Sequence, residues 1–387
     1  MEQARRLTGL SDFGDTTFLE PLAVLLRSYR EDARLNPVGR RSSEAECIHL
    51  LANRLRIQHD LVCAPETLTT PVHPPIFITG LPRTGTTLTH RLLAQDTRNR
   101  ALLGWELLYP SRTWQRGVTR SVAERLAAAK RYWHTINQLA PGLAKKHLYT
   151  AHRPEECNQL FQHSFVSRMF FIWAGVARYI EYVTNQVDKR PSFHHYRAQL
   201  QLLQTNRPGI EERWVLKSPA HLYDLELLFE VFPDARVIHC HRDPAEVLPS
   251  ACSFMRSCRR TRSDHFEDRE AVDYFLYRRA HLLQRAMEAR GRLPSSRFYD
   301  VYYQDLVAEP YRTLGAMYEY FSLSPAEDFE QQATAWLAAN PQHQGGKHHY
   351  SLNDHGLDRE TVRAHFAHYY ERFPRIEAGS HGTGHQV

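Results

Sequence analysis

No stretch of this chain approaches the roughly 18 consecutive apolar residues that a membrane span requires. The best candidate, Phe165 to Val183, is interrupted by Arg168, Arg178 and Glu181. Residues Met1 to Arg6 carry Glu2, Arg5 and Arg6 and lead into no apolar run, so no secretory signal is expected. Cysteine is scarce: six residues with no CxxC pair, which excludes a disulfide scaffold and predicts reduced, mostly buried thiols of a cytoplasmic protein. Internal repeats, low-complexity tracts, a Gly-x-Ser-x-Gly elbow and a Ser/His/Asp signature are all missing, which argues against repeat arrays and the common serine hydrolases. An excess of one charge is missing too. Forty-nine Lys and Arg against 43 acidic residues leave +6, too little and too evenly spread for a nucleic-acid partner, though it mildly favours an anionic ligand. At 387 residues with 42% hydrophobic and 24% charged, the chain has an ordinary globular composition and enough length for a sizeable core.

Residues 15–60 show helical spacing (Phe18, Leu22, Leu25, Leu26, then Cys47, Leu50, Leu51, Leu55), with Pro37 and Gly39 marking a loop between two helices. Pro71, Pro74 and Pro75 then precede the β-branched run Ile76-Phe77-Ile78-Thr79, too short for a helix and read as a buried strand. From about 119 to 206 the pattern is helical almost throughout, and the stripe Leu160, Phe161, Phe165, Met169, Ile172, Trp173, Val176 describes a core-facing helix. Strands then return at Trp214-Val215-Leu216, Arg236 to Cys240 and Phe298 to Tyr303, separated by helices over Leu222 to Phe232 and from Pro244 onward, with another from Pro310 to Phe321. This alternation predicts an α/β fold, a parallel sheet flanked by helices, with ligand sites at the carboxyl ends of the strands.

After the first strand comes Gly80-Leu81-Pro82-Arg83-Thr84-Gly85-Thr86-Thr87. A strand, a glycine, four residues, a second glycine, a hydroxyl residue and a helix start make the skeleton of a P-loop. Its inward N–H groups and the helix dipole favour phosphate oxygens. The lysine that nucleotide hydrolases place after the second glycine is Thr86 here, and the cation stands three positions earlier at Arg83. That argues against ATP or GTP hydrolysis, in which the lysine contacts the β/γ-phosphates.

The loop resembles the 5′-phosphosulfate loop of sulfotransferases that use 3′-phosphoadenosine 5′-phosphosulfate (PAPS). Its arginine form is similar to that of many bacterial members and the tyrosylprotein enzymes, whereas the cytosolic small-molecule enzymes carry lysine there. A second signature agrees: Val237 to Pro244 resembles the strand and turn before the 3′-phosphate site, and Arg242 with Ser250 keeps the arginine-then-serine spacing of eight. A guanidinium fork suits a phosphate, and eight residues bring a helical serine back to the same mouth. Val301 to Leu306 is similar to the family's Tyr-Glu-Asp-Leu segment, which places Tyr303 near the adenine, and Lys347 in Gly345-Gly346-Lys347 falls where some relatives set a basic loop. The resemblance covers roughly residues 75–375. It implies a P-loop-like sulfotransferase fold, PAPS as co-substrate without metal, and nucleotide contacts from Arg83, Thr84, Gly85, Thr86, Thr87, Leu88, Arg242, Ser250, Tyr303 and Lys347.

Sulfuryl transfer to a hydroxyl needs a base for the acceptor proton, cations at the leaving phosphate oxygen, and an in-line arrangement. Arg83 fits the second demand, with Lys217 at the end of Trp214-Val215-Leu216 as a helper. Cytosolic relatives follow that strand with Lys-Thr-His and use the histidine as base. This chain reads Lys217-Ser218-Pro219, so the role must move. The tyrosylprotein enzymes use a glutamate about twenty residues past the loop arginine, which points to Glu106 in Gly104-Trp105-Glu106-Leu107-Leu108. His221 is the first competitor, then His147 and His152, while Glu155 and Glu156 read as helix N-terminal charge.

His239 with His241, and His365 with His368, lack a third ligand in the sequence, so no metal is expected. The expected organisation is a helical segment over 1–70, a sulfotransferase domain over 71–375 with a helical substrate-covering insertion at 119–206, and a flexible tail over 376–387. The expected acceptor is a hydroxyl (or amine) of a small molecule, lipid or glycan. Nucleic acid and an integral membrane segment are excluded as partners, and oligomeric state, a homo-oligomer included, is left open. A P-loop kinase or phosphotransferase, or a non-catalytic nucleotide-binding module, are the alternatives.

Overall fold

The computed structural model describes residues 1–205, 212–341 and 351–378. Five short runs pair, all in parallel, into one sheet: β1 (Ile76–Gly80), β2 (Asn99–Ala101), β3 (Arg213–Lys217), β4 (Arg236–His241) and β5 (Phe298–Tyr302), in spatial order β2-β3-β1-β4-β5. β1 is central and every one of its residues is buried, which is why it reads as an unbroken apolar run rather than an alternating one. Ile76, Ile78, Val215, Ile238, Cys240 and Val301 pack on one face with Leu92 and Leu93. On the other face the Phe77 ring lies 5.0 Å from His221 and 5.3 Å from Phe232. Each aliphatic side chain buried there contributes about 1.5–3 kcal/mol.

The chain divides into two compact units that interleave along the sequence. One, spanning Met1–Val72, Leu102–Ile210 and Ser257–Phe266, is largely helical and carries a small hairpin, Thr113–Gln115 with Val118–Thr119. The other, His73–Ala101, Glu211–Arg256 and Glu267–Val387, contains the sheet. Among the described residues no helix is long and apolar enough to cross a membrane.

Three local expectations change. Pro37 and Gly39 do not form a loop: they open the helix Pro37–Cys63, with Asn36 as cap accepting from the Gly39 N–H at 2.8 Å. Proline at the first helical position lacks only an N–H that would be unpaired there anyway. The stripe from Leu160 to Val176 is not one helix. It runs as a 3₁₀ segment, Cys157–Ser164, turns at Phe165 (φ 53°) and resumes over Met169–Trp173, while Leu160, Phe165 and Val176 remain fully buried. Burial therefore followed the spacing although the backbone did not. The edge strand Asn99–Ala101 has no apolar pattern to announce it. Side chains hold it, with Arg213 donating to Asn99 Oδ1 at 2.7 Å and Asn99 Nδ2 donating to the Leu93 carbonyl at 2.8 Å.

Several of the 23 histidines are core residues. Desolvation lowers His49 and His221 to about 4 and His163 to about 3, so all three are neutral in the fold. Unfolding exposes them to protonation at an ordinary value near 6.5, so the unfolded chain binds more protons between pH 6.5 and about 4. Stability is therefore complete above pH 6.5 and falls as pH drops through that window, by about 1.4 kcal/mol per pH unit for each histidine. Denaturant melts at pH 7, 6 and 5 measure the slope, and His221→Phe removes one histidine's share; an unchanged slope in that variant would contradict the assignment.

Candidate active site

The loop after β1 closes on two glycines that no other residue replaces cheaply. Gly80 has φ 147°, and a Cβ there would sit 2.4 Å from the Cys240 carbonyl oxygen. Gly85, at φ 90°, would place a Cβ 2.9 Å from Tyr303 Cδ2. Thr84 is buried and donates its hydroxyl to the Leu81 carbonyl at 2.7 Å, which holds the loop's curvature. Thr86 starts the helix Thr86–Leu93 directly behind Gly85, so the first amides of that helix face the loop's mouth. Arg83 adopts a left-handed backbone, φ 71°, a conformation costing a non-glycine residue on the order of 1–3 kcal/mol. The surroundings impose that strain, and the guanidinium it carries remains exposed. Gly85→Ala is expected to destabilise the fold by about 1–3 kcal/mol through such strain; denaturant melts measure it, and an unaltered midpoint would mean the contact with Tyr303 relaxes without cost.

Residues far apart in sequence meet here. Arg83 Nε donates to Ser250 Oγ at 3.1 Å across 167 positions. Arg242 Nη1 donates to the Arg83 carbonyl at 3.4 Å, and its guanidinium lies over the Tyr303 ring, 4.1 Å from the centroid. Thus four of the expected residues (Arg83, Arg242, Ser250, Tyr303) join Gly85 in one mouth at the carboxyl ends of β1, β4 and β5. Thr87 and Leu88 are half-buried on the first turn of the loop's helix. Lys217, at the end of β3, is buried. Just beyond it, Ser218 donates its N–H to the Ile78 carbonyl at 3.1 Å, so the turn after β3 is tied to β1. His221 is buried with its ring edge-on to Phe77, in a 3₁₀ segment opened by Pro219. Lys347 lies outside the described residues, as does most of the tail over 376–387.

Other residues complete this mouth and were not anticipated. Glu246 accepts from Arg242 Nε at 3.0 Å, an i,i+4 pair that holds the guanidinium at the start of its helix. Asp243 is buried and caps that helix by accepting from the Ala245 N–H at 2.8 Å; it also accepts from the Tyr370 hydroxyl at 2.5 Å and pairs with Arg359. Asp followed by Pro is a helix-start signal that the sequence does offer. The clamp from residues 359–370 has no local signal, being a contact across more than a hundred positions.

The structure supplies a third donor to the pair His239 and His241: Asp300, opposite His239 on β5. All three are already engaged. Asp300 takes both nitrogens of Arg290, at 2.7 and 2.9 Å, and His241 Nε2 at 2.8 Å, while Arg290 also lies 2.9 Å from His239 Nδ1. Burial raises the Asp300 carboxyl, but the hydrogen bonds from His241 and Arg290 outweigh it and hold the group well below the usual carboxylate range. The Arg290 guanidinium joins Asp300 to His239, so these groups form a hydrogen-bonded brace under the Arg242 turn.

In the helical unit, Glu106 is 4% exposed. It sits on the short helix Gly104–Leu108 and accepts from the Leu103 N–H at 3.0 Å, which fixes its side chain. The next residues, Leu107 and Leu108, line a cavity of about 260 Å³ together with Trp133, Tyr149, Trp173 and His49. Trp133 and Tyr149 stack at 4.8 Å, and the ion pair Arg262–Glu46 (2.7 Å) supplies the polar part of the wall. Glu155, read as helix N-terminal charge, stands two residues before the 3₁₀ segment Cys157–Ser164 and is a buried carboxylate paired with His147 Nε2 at 3.0 Å.

Three similarities bear on this chain. Residues 74–328 match the model of the "Sulfotransferase family". The omega-hydroxy-beta-dihydromenaquinone-9 sulfotransferase Stf3 of Mycobacterium bovis is 28% identical over 291 residues, covering 68% of this chain and 67% of that protein. Among solved structures, sulfotransferase STF1 of Mycobacterium tuberculosis H37Rv superposes with a TM-score of 0.80 at 32% identity, over 95% of this chain and 96% of that one. STF9 of Mycobacterium avium gives 0.84 at 27%, over 96% and 95%. With the lysine-free loop, these matches set aside the phosphotransferase alternative: the chain belongs to the sulfotransferase family and is a transferase of sulfuryl groups.

Proposed function

We propose that the mouth formed by Gly80–Thr87, Arg242, Ser250 and Tyr303 binds PAPS, and that this protein moves its sulfuryl group to a hydroxyl on an apolar, lipid-like acceptor. The observation that carries the donor assignment is the junction of Arg83 with Ser250 at 3.1 Å, capped by Arg242 over Tyr303. Two guanidiniums, a hydroxyl and a helix N-terminus gather in one place, where the carboxylates Glu246 and Asp243 are already engaged by Arg242 and by Arg359 with Tyr370; this suits a ligand carrying more than one phosphate-type group.

In this reading the loop amides and Arg83 hold the 5′ end, Arg242 and Ser250 hold the 3′-phosphate, and Tyr303 offers its ring towards the base. The bond from the acceptor oxygen to sulfur forms as the bond from sulfur to the bridging phosphate oxygen breaks. The electron pair leaves on that oxygen, where Arg83 and Lys217 lower its energy, and the acceptor proton passes to Glu106. His221 is a poor second choice because its ring is buried edge-on against Phe77.

Support for a lipid-like acceptor comes from the aromatic cavity beside Leu107 and Leu108, and from the hydroxylated menaquinone named for the relative Stf3. At about 30 Å³ per methylene-sized unit, 260 Å³ admits on the order of nine heavy atoms, the end of a chain rather than a whole one. The expected outcome is saturable binding of adenosine 3′,5′-bisphosphate without added metal, and transfer of ³⁵S from PAPS to a long-chain terminal alcohol. No affinity for the bisphosphate would overturn the donor assignment; label on glycans alone would overturn the acceptor.

A further inference from the structure

A second cavity, of about 610 Å³, lies in the helical unit between the helices Leu19–Glu31 and Pro37–Cys63. It shares no wall residue with the aromatic cavity and does not include Glu106, and nothing in the proposed chemistry uses it. Its walls are aliphatic: Leu22, Leu26, Ile48 and Leu51, with Leu26 as much as 40% exposed. Its rim is basic. Arg30, Arg34 and Arg40 all line it, all three are exposed, and none of their guanidiniums makes a hydrogen bond or ion pair with another described residue. The acids closest in sequence are engaged elsewhere, since Glu31 and Asp32 both pair with Arg178, which leaves Glu44 as the one carboxylate on the wall.

Two details mark a built recess rather than a chance gap. Arg34 holds a left-handed backbone (φ 44°), pinned by the Ser263 hydroxyl donating to its carbonyl at 2.8 Å. The Tyr29 side chain, 9% exposed, lines the same cavity with its hydroxyl oxygen buried beside Ser43.

We propose that this cavity is a binding site for a single-chain anionic amphiphile of the fatty-acid class, its chain against Leu22, Leu26, Ile48 and Leu51 and its acidic head on Arg30, Arg34 and Arg40. Guanidinium forks match a carboxylate in two-point geometry, and three of them against one glutamate leave the rim positive. Size selects the occupant. At about 30 Å³ per water-sized unit, 610 Å³ holds on the order of twenty such units, matching the heavy atoms of one chain of about sixteen to eighteen carbons with its head. A two-chain phospholipid needs roughly twice that. The site is independent of the PAPS assignment and stands or falls separately from it.

The test is titration of the full-length protein with monomeric oleate, with oleyl alcohol, and with phosphatidylglycerol vesicles. One-to-one oleate binding is expected, weakened at least about tenfold both for the alcohol and in the surface variant R30E/R34E/R40E, while adenosine 3′,5′-bisphosphate binds that variant normally. Ile48→Trp, which fills the recess, should also lose oleate without a change in bisphosphate affinity. Absence of saturable oleate binding would overturn the site, as would oleate affinity unaltered in the arginine variant. Binding to vesicles but not to monomeric oleate would replace it with a membrane-docking face, and oleate that competes with the alcohol acceptor would place it in the aromatic cavity instead.

Discussion

Arg83→Ala is expected to lower turnover at least about a hundredfold, the scale for losing one donor to developing charge. Three features of this residue combine to give that size. The loop has no lysine after Gly85, so Arg83 is its only cationic side chain. Its backbone is held at φ 71° by a loop closed between Gly80 and Gly85, so the guanidinium is positioned before any ligand arrives. It also donates to Ser250, so its loss loosens the second phosphate site as well. Arg83→Lys restores charge without the fork and should recover part of the rate but not the Ser250 contact. Single-turnover transfer at saturating PAPS separates the chemical step from binding. Near-normal turnover in the alanine variant would remove Arg83 from the mechanism.

Glu106→Gln is expected to abolish the benefit of general-base catalysis, a loss of about two to four orders of magnitude in kcat, while bisphosphate affinity stays unchanged. The substitution is a clean one. Gln retains an oxygen that accepts from the Leu103 N–H, so the cap of the helix Gly104–Leu108 and the walls of the aromatic cavity persist. What disappears is the capacity to take a proton. Glu106→Ala confounds this by removing the cap, which is worth ~1 kcal/mol of helix stability. Comparison with His221→Ala completes the experiment: an active Glu106→Gln beside an inactive His221→Ala would reverse the base assignment. Retained activity in both would point to the buried His147–Glu155 pair as the next group to test.

The loop and the strands were legible because their signals are local. Parallel strands buried on both faces need unbroken apolar runs, and Ile76–Gly80 and Arg236–His241 carry them within a residue or so of their observed ends. The glycines of the loop are needed for left-handed backbone and close approach, demands that no other side chain meets, so their spacing survives as text. Helix interruptions were less legible. The stripe from Leu160 to Val176 records which side chains are buried, and burial alone does not say whether the backbone between them stays α-helical through Phe165. Asn99–Ala101 was invisible for the opposite reason: it is an edge strand laddered on Arg213–Val215 and pinned by the Asn99 side chain, with no apolar pattern of its own.

Sequence alone therefore determined the parallel α/β architecture, the position of the anion loop, the displacement of its cation to Arg83 and the absence of a histidine after Lys217, because each is announced by local runs and spacings in the chain. Only the tertiary structure decided that Arg83 meets Ser250, that Tyr303 packs on Gly85 beneath Arg242, that Asp300 and Arg290 brace the strand leading to Arg242, and that Tyr370 and Arg359 clamp Asp243. These contacts join positions from ten to well over a hundred residues apart. Their energies depend on distances of a few ångströms that no spacing along the chain encodes, and they arise when strands far apart in order come to lie side by side in one sheet.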